Sequence, residues 1–165
     1  MPFRFTVLAP THVVGAFSCG RAEIDDYLKN RASIEQQLSL SQVYVLVDDD
    51  QRVWAYGTLS PVTVQIDEAL LKTIGIHSAP YRSIGGYLLG RMGVDRTTQS
   101  KGIGRAVVAR LAEIAAQQRG VTGGVFLAVD AKDEGLVGCY EKLGFLRLAP
   151  APKKRLILPL THFGG

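Results

Sequence analysis

The chain has 165 residues, 47% of them hydrophobic and 21% charged, with a formal net charge of +4. This suits one domain with an ordinary core; no basic start precedes a long apolar run, so neither export nor membrane insertion is indicated. Cys19 and Cys139 are too few and too far apart for a disulfide framework, and His12, His77 and His162 are scattered, so a reduced cytoplasm and no metal are expected.

In chain order, residues 3–8 read as a short strand, and Pro10 begins a loop that reaches Gly20. Ile24, Tyr27, Leu28, Arg31 and Ala32 share one mostly apolar helical face, and Glu23, Asp25 and Asp26 sit near the helix start, where the dipole favours anions. Residues 43–47 form the next strand. Asp48-Asp49-Asp50-Gln51 turns the chain, and residues 53–59 return as the hairpin partner, with a pattern that can continue past Pro61 to Ile66. Residues 67–86, with Pro80, Gly85-Gly86 and little periodicity, read as a long substrate-facing loop.

Residues 87–94 are the central strand. The helix that follows shows Val107, Val108, Leu111, Ile114 and Ala115 on one face and reaches Gln118, with Gly120 as its stop. Next come a strand at 125–129, a short helix at 133–143, a strand from Phe145 to 148, and a last strand opened by Lys153-Lys154-Arg155 and running through Leu160. Hairpins followed by right-handed strand–helix crossovers predict a single α/β (α+β) domain over residues 1–165: a mixed central sheet of six to seven strands flanked by about four helices.

The run Gln99-Ser100-Lys101-Gly102-Ile103-Gly104 carries the most chemistry. A strand feeding a glycine turn into a helix makes an anion site, because glycines let the backbone approach a ligand and the first helical N–H groups converge on it. The third glycine of a dinucleotide fingerprint and the Lys-Ser or Lys-Thr of a phosphate-binding P-loop are both missing, which excludes NAD and nucleoside triphosphates as the expected ligand. A plain connector would use similar residues.

Gln-x-x-Gly-x-Gly after a strand ending Gly93-Val94-Asp95 resembles the acetyl-coenzyme A signature of the GNAT acetyltransferases, written Gln/Arg-x-x-Gly-x-Gly/Ala. That family's second element, a short helix with a tyrosine before Gly-Phe, is matched by Cys139-Tyr140-Glu141-Lys142-Leu143-Gly144-Phe145, about 35 residues downstream. The resemblance implies the GNAT fold and acetyl-coenzyme A or coenzyme A as cofactor. It implies that Met92 and Val94 pair with the pantetheine arm, and that Gln99, Ser100, Lys101, Gly102, Ile103, Gly104 and Arg105 bind the phosphates. It also implies a bulge near Gly90-Arg91 that aims an N–H at the thioester oxygen, and Tyr140 as the acid that protonates the leaving sulfur. Helical spacing with Leu136 and Leu143 also allows Tyr140 a core role, and Gly135 and Gly138 weaken its helix. The carboxylate often found on the family's hairpin strand has no counterpart at 53–59, so no general base stands out.

Phe17-Ser18-Cys19-Gly20-Arg21-Ala22-Glu23-Ile24-Asp25-Asp26-Tyr27-Leu28 resembles the opening of one subgroup, the acetyltransferase toxins of bacterial toxin–antitoxin pairs. Leu89-Gly90-Arg91-Met92-Gly93-Val94-Asp95 is close to that subgroup's Leu-Gly-Arg-Leu-Ala-Val-Asp, and Ala128-Val129-Asp130-Ala131 is close to its next strand. The resemblance implies acetylation of the α-amino group of aminoacyl-tRNA, which blocks translation, a ribbon-helix-helix antitoxin as partner, and a homodimer. Residues 83–165 hold twelve Lys/Arg against six Asp/Glu, a net +6, whereas residues 1–82 carry −2, so a polyanionic second substrate suits the basic half. Arg82, Arg91, Lys153, Lys154 and Arg155 are the candidate tRNA contacts; a solvated surface is the plainer account of the same charge. The alternatives are a housekeeping GNAT enzyme that acetylates a small-molecule or protein amine, and a non-catalytic coenzyme-binding regulatory partner.

Overall fold

The computed structural model describes residues 2–148 and 154–162. Three strands, β1 (Arg4–Val7), β2 (Gln42–Val47) and β3 (Val53–Gln65), form an antiparallel ladder in which Val45 faces Thr6 on one side and Tyr56 on the other. Along β2 the buried valines Val43, Val45 and Val47 alternate with half-buried Tyr44 and Leu46, the period that puts one face on a core. The hairpin turn is fixed by Asp48, whose Oδ1 accepts from the N–H groups of Asp50 and Arg52 at 2.9 and 3.1 Å.

Between β1 and β2 run α1 (Ala22–Asp26), a single π turn (Tyr27–Arg31) and α2 (Ala32–Gln37). The predicted stripe buries Ile24, Tyr27, Leu28 and Ala32 against Phe17, Val43, Val45 and Tyr56, while Arg31 stays exposed. β3 continues through the exposed Pro61, as its pattern allowed.

Residues 67–86 are not a long loop. They hold α3 (Glu68–Thr73), capped by Asp67, whose Oδ1 accepts the Leu70 N–H at 2.8 Å, and the start of β4 (Ser83–Val94). Six residues are too few to show helical periodicity, and burial of Leu71 and Ile74 beside Ile66 and Ile84 orders this helix. Gly85-Gly86 lies within β4 because Phe126 packs over it: a Cβ on Gly86 would stand 2.5 Å from that ring.

After β4 come α4 (Ile103–Thr122), β5 (Phe126–Asp130), α5 (Glu134–Lys142), β6 (Leu146–Arg147) and β7 (Arg155–Pro159). Gly120 does not stop α4; the helix passes it and ends before Gly123 and Gly124, whose φ of +78° and +119° lie in the left-handed region. The strand expected over 145–148 is shorter, and Lys153 lies outside the described residues. β5 buries Phe126, Leu127, Ala128 and Val129 in succession, as a strand covered on both faces does, and pairs antiparallel with β7.

The sheet order is β1-β2-β3-β4-β5-β7-β6, with α4 running between the neighbouring strands β4 and β5. This is a mixed seven-stranded α/β sheet, within the six to seven strands that the sequence predicts. The chain folds as two compact units, one of residues 1–60 and 89–111, the other of residues 61–88 and 112–165. The first has the Phe17–Tyr56 core just described; the second closes over Val64, Ile66, Phe126, Ala128 and Ile157.

Candidate functional site

In the first unit, β4 ends in a turn built to present backbone N–H groups. Ser100 and Gly102 have φ of +69° and +76°, with Lys101 between them, and α4 begins at Ile103. Left-handed residues set close together curl the backbone into an anion-binding concavity, and the start of a 20-residue helix adds its unpaired N–H groups and dipole. A Cβ on Gly102 would meet nothing within 4 Å, so the space over the turn is open and backbone conformation alone requires glycine there. Gly104 has an ordinary approach to Val94, 3.7 Å from its would-be Cβ. Met92, Val94, Ile103 and Gly104 are half-buried, while Gln99, Ser100, Lys101, Gly102 and Arg105 are exposed. The first unit thus brings every predicted phosphate and pantetheine residue to one strand end and one turn.

Two side chains hold that turn. Asp95 is buried and accepts from the Ser18 N–H at 3.1 Å, the Thr97 N–H at 3.1 Å and the Thr97 hydroxyl at 2.7 Å, with Arg52 at 3.7 Å. Burial works against its charge, but the Thr97 and Ser18 donors and the Arg52 guanidinium outweigh burial and hold the carboxyl below its ordinary range. Gln99 donates from Nε2 to Val94 O at 2.8 Å and to Cys19 O at 3.0 Å. Sequence reasoning did not assign these two roles; the closeness of Asp95 and Gln99 to the glycines was the signal available.

The Arg91 N–H donates to Thr58 Oγ1 at 2.9 Å, so this N–H is already taken within the protein. Thr58, which is 4% exposed, was also missed; a threonine within an apolar run was the signal available in the sequence.

In the second unit, Tyr140 is half-buried on α5, its ring edge-on to Phe145 with centroids 5.3 Å apart. Asp133 caps the helix by accepting the Leu136 N–H at 2.8 Å. Gly144 closes it at φ +101°, and Arg147 spans Glu134 and Glu141 at 3.1 and 3.7 Å. Gly135 and Gly138 are accommodated because the helix is fixed at both ends.

Among the described residues, three of the basic candidates are already engaged within their own unit. Arg82 pairs with Glu68 at 3.5 Å, the Arg91 guanidinium stands 4.4 Å over the Tyr27 ring, and Arg155 grips both oxygens of Asp130 at 2.6 and 2.8 Å. Lys154 is half-buried. Among the described residues no group of three or more His, Cys, Asp or Glu could hold a metal ion, and no helix is long and apolar enough to cross a membrane.

The model of the acetyltransferase (GNAT) family matches residues 19–145, which contain both the glycine turn and Tyr140. AtaT complexed with acetyl-methionyl-tRNAfMet is similar to this chain, with a TM-score of 0.87 at 21% identity over 98% of this chain and 96% of that one. A tyrosine-to-phenylalanine mutant of KacT has a TM-score of 0.87 at 23% identity, covering 98% and 97%. AtaTR bound with AcCoA has a TM-score of 0.82 at 22% identity, covering 97% and 95%. The chain belongs to the GNAT family of acetyltransferases and is an N-acetyltransferase whose donor is acetyl-coenzyme A.

Proposed function

We propose that this enzyme acetylates the α-amino group of an aminoacyl-tRNA, blocking translation in the cytoplasm as the toxin of a toxin–antitoxin pair, with a ribbon-helix-helix antitoxin as its partner and as a homodimer. The observation that carries this reading is the segment 17–28, which resembles the toxin subgroup's opening and is hydrogen-bonded to Asp95 and Gln99 beside the glycine turn through Ser18 and Cys19. The likeness to AtaT complexed with acetyl-methionyl-tRNAfMet supports it, as does the net +6 of residues 83–165.

The residues fit the donor. The N–H groups from Ser100 to Arg105 would hold its phosphates, the charges of Lys101 and Arg105 would add to them, and the backbone of Met92 and Val94 would align the pantetheine arm. Acetyl-coenzyme A, when bound, supplies an acetyl group already activated as a thioester. Tyr140 Oη would give its proton to the departing sulfur, since a phenol remains protonated at neutral pH, and the proton lost by the attacking amine would restore the phenol. The α-amino group of an aminoacyl ester is a weak base, so part of it is already neutral near pH 7 and the reaction needs no strong protein base. Arg82, Arg91, Lys153, Lys154 and Arg155 would contact phosphates of the tRNA, contributing affinity rather than sequence choice.

A second reading, acetylation of a small-molecule or protein amine, is favoured by one observation: Arg82 and Arg155 are already paired with Glu68 and Asp130. The deciding experiment is transfer of labelled acetyl from acetyl-coenzyme A to total charged bacterial tRNA, with uncharged tRNA and Tyr140→Phe as controls. Label on charged tRNA alone, lost with Tyr140→Phe, supports the toxin chemistry. Absence of label from an enzyme that binds coenzyme A refutes it in favour of the second reading.

A further inference from the structure

We propose that Gln99, the first residue of the glycine-turn motif, is a positioning residue that braces the turn against residues 17–20 and does not itself touch the ligand. This rests on the reading of the turn as the acetyl-coenzyme A site. A side-chain amide has two N–H donors and one acceptor oxygen. Both donors of Gln99 are spent, on Val94 O at 2.8 Å and Cys19 O at 3.0 Å, which leaves an oxygen that repels phosphate.

The far end of the brace is a fixed point. Cys19 donates its N–H to Asp25 Oδ1 at 2.8 Å, the Ser18 N–H donates to Asp95 Oδ2 at 3.1 Å, and Ser18 O accepts from the Arg96 N–H at 2.8 Å. Phe17 is buried. A strained backbone persists only where its surroundings over-determine it, and Ser100, the residue after Gln99, is a non-glycine at φ +69°. Gln99 anchors the chain immediately before that strained residue, so the brace holds open the concavity that Ser100 and Gly102 form. The same requirement explains why the family motif admits Gln or Arg at this place: each offers two or more N–H donors in a fixed plane, and no acid does.

The test is calorimetric binding of coenzyme A. Gln99→Met, uncharged and of similar length, should weaken binding by about tenfold, toward the low end of what losing its two hydrogen bonds implies. Gln99→Arg should bind within about threefold of the parent. The discriminating variant is the double mutant Gln99→Met with Ser100→Gly: glycine adopts the left-handed conformation without strain, so it should recover most of the lost affinity. A Gln99 that contacted phosphate directly would gain nothing from Ser100→Gly. Unchanged binding by Gln99→Met, failure of Gln99→Arg to restore it, or no recovery in the double mutant overturns the proposal. Failure of the unaltered protein to bind coenzyme A would instead refute the reading of the turn itself.

Discussion

Gly93 and Ile24 meet so closely that a Cβ on Gly93 would stand 2.7 Å from Ile24 Cγ2 and 3.2 Å from the Phe17 ring. The toxin subgroup's pattern has alanine at this place, so the departure in this chain is a matter of volume: Ile24 and Phe17 already fill the space. Gly93→Ala should destabilise the fold by about 1–3 kcal/mol through overpacking, read as a lower midpoint in urea. An alanine variant as stable as the parent would show that this contact relaxes at no cost.

Tyr140→Phe should lower turnover by about 10² to 10⁴, the usual contribution of a general acid, while keeping the fold. Its ring contact with Phe145 survives the change, so the protein should still fold, and the shift in thermal midpoint reads what the hydroxyl contributes to stability. Steady-state acetyl transfer and a thermal melt on the same preparation separate the two effects. An active Tyr140→Phe enzyme would assign the proton to another group.

Asp95 gives the protein an acid-sensitive component. Its carboxyl is held below the ordinary 3.8: burial opposes the charge, and the Thr97 donors, the Ser18 N–H and Arg52 overcome it. A group depressed in the folded state contributes stability that is complete above its unfolded pKa and disappears as pH falls through its native one. Stability should therefore drop as pH falls below about 4. Asp95→Asn should be less stable at neutral pH and show a shallower acid decline, because an amide does not titrate. Asp48, held down chiefly by the Trp54 indole N–H, keeps some decline in that variant. Parallel acid limbs in urea titrations of the two proteins would contradict the assignment.

Arg155 is engaged through Nε and Nη2 by the two oxygens of Asp130. Under the tRNA reading, Asp130→Asn frees a phosphate-binding guanidinium, so charged-tRNA affinity should rise and the slope of log K against log salt should steepen by about one. Filter binding across a salt series measures this. An unchanged slope would remove Arg155 from the nucleic-acid surface.

Much of the architecture follows from local pattern. The alternation of Val43, Val45 and Val47, the helical face of Val107, Val108 and Leu111, and the glycine turn between strand and helix are periodicities within a single window of chain, and all three elements form where they are expected. The same holds for Tyr140 on a short helix ending at Gly144-Phe145. α3 could not be read that way, because six residues carry too little period and its order comes from burying Leu71 and Ile74 under other elements.

By itself, then, the sequence determined the family and the main elements other than α3, since each is written in residues a few positions apart. Only the tertiary structure decided how those residues are used. Gln99 braces a carbonyl 80 positions earlier, Asp130 neutralises Arg155 from 25 positions away, and Ile24 excludes a side chain from Gly93. The physical reason is common to all three: whether a donor, a charge or a volume is free depends on neighbours that chain folding supplies, and no local pattern encodes them.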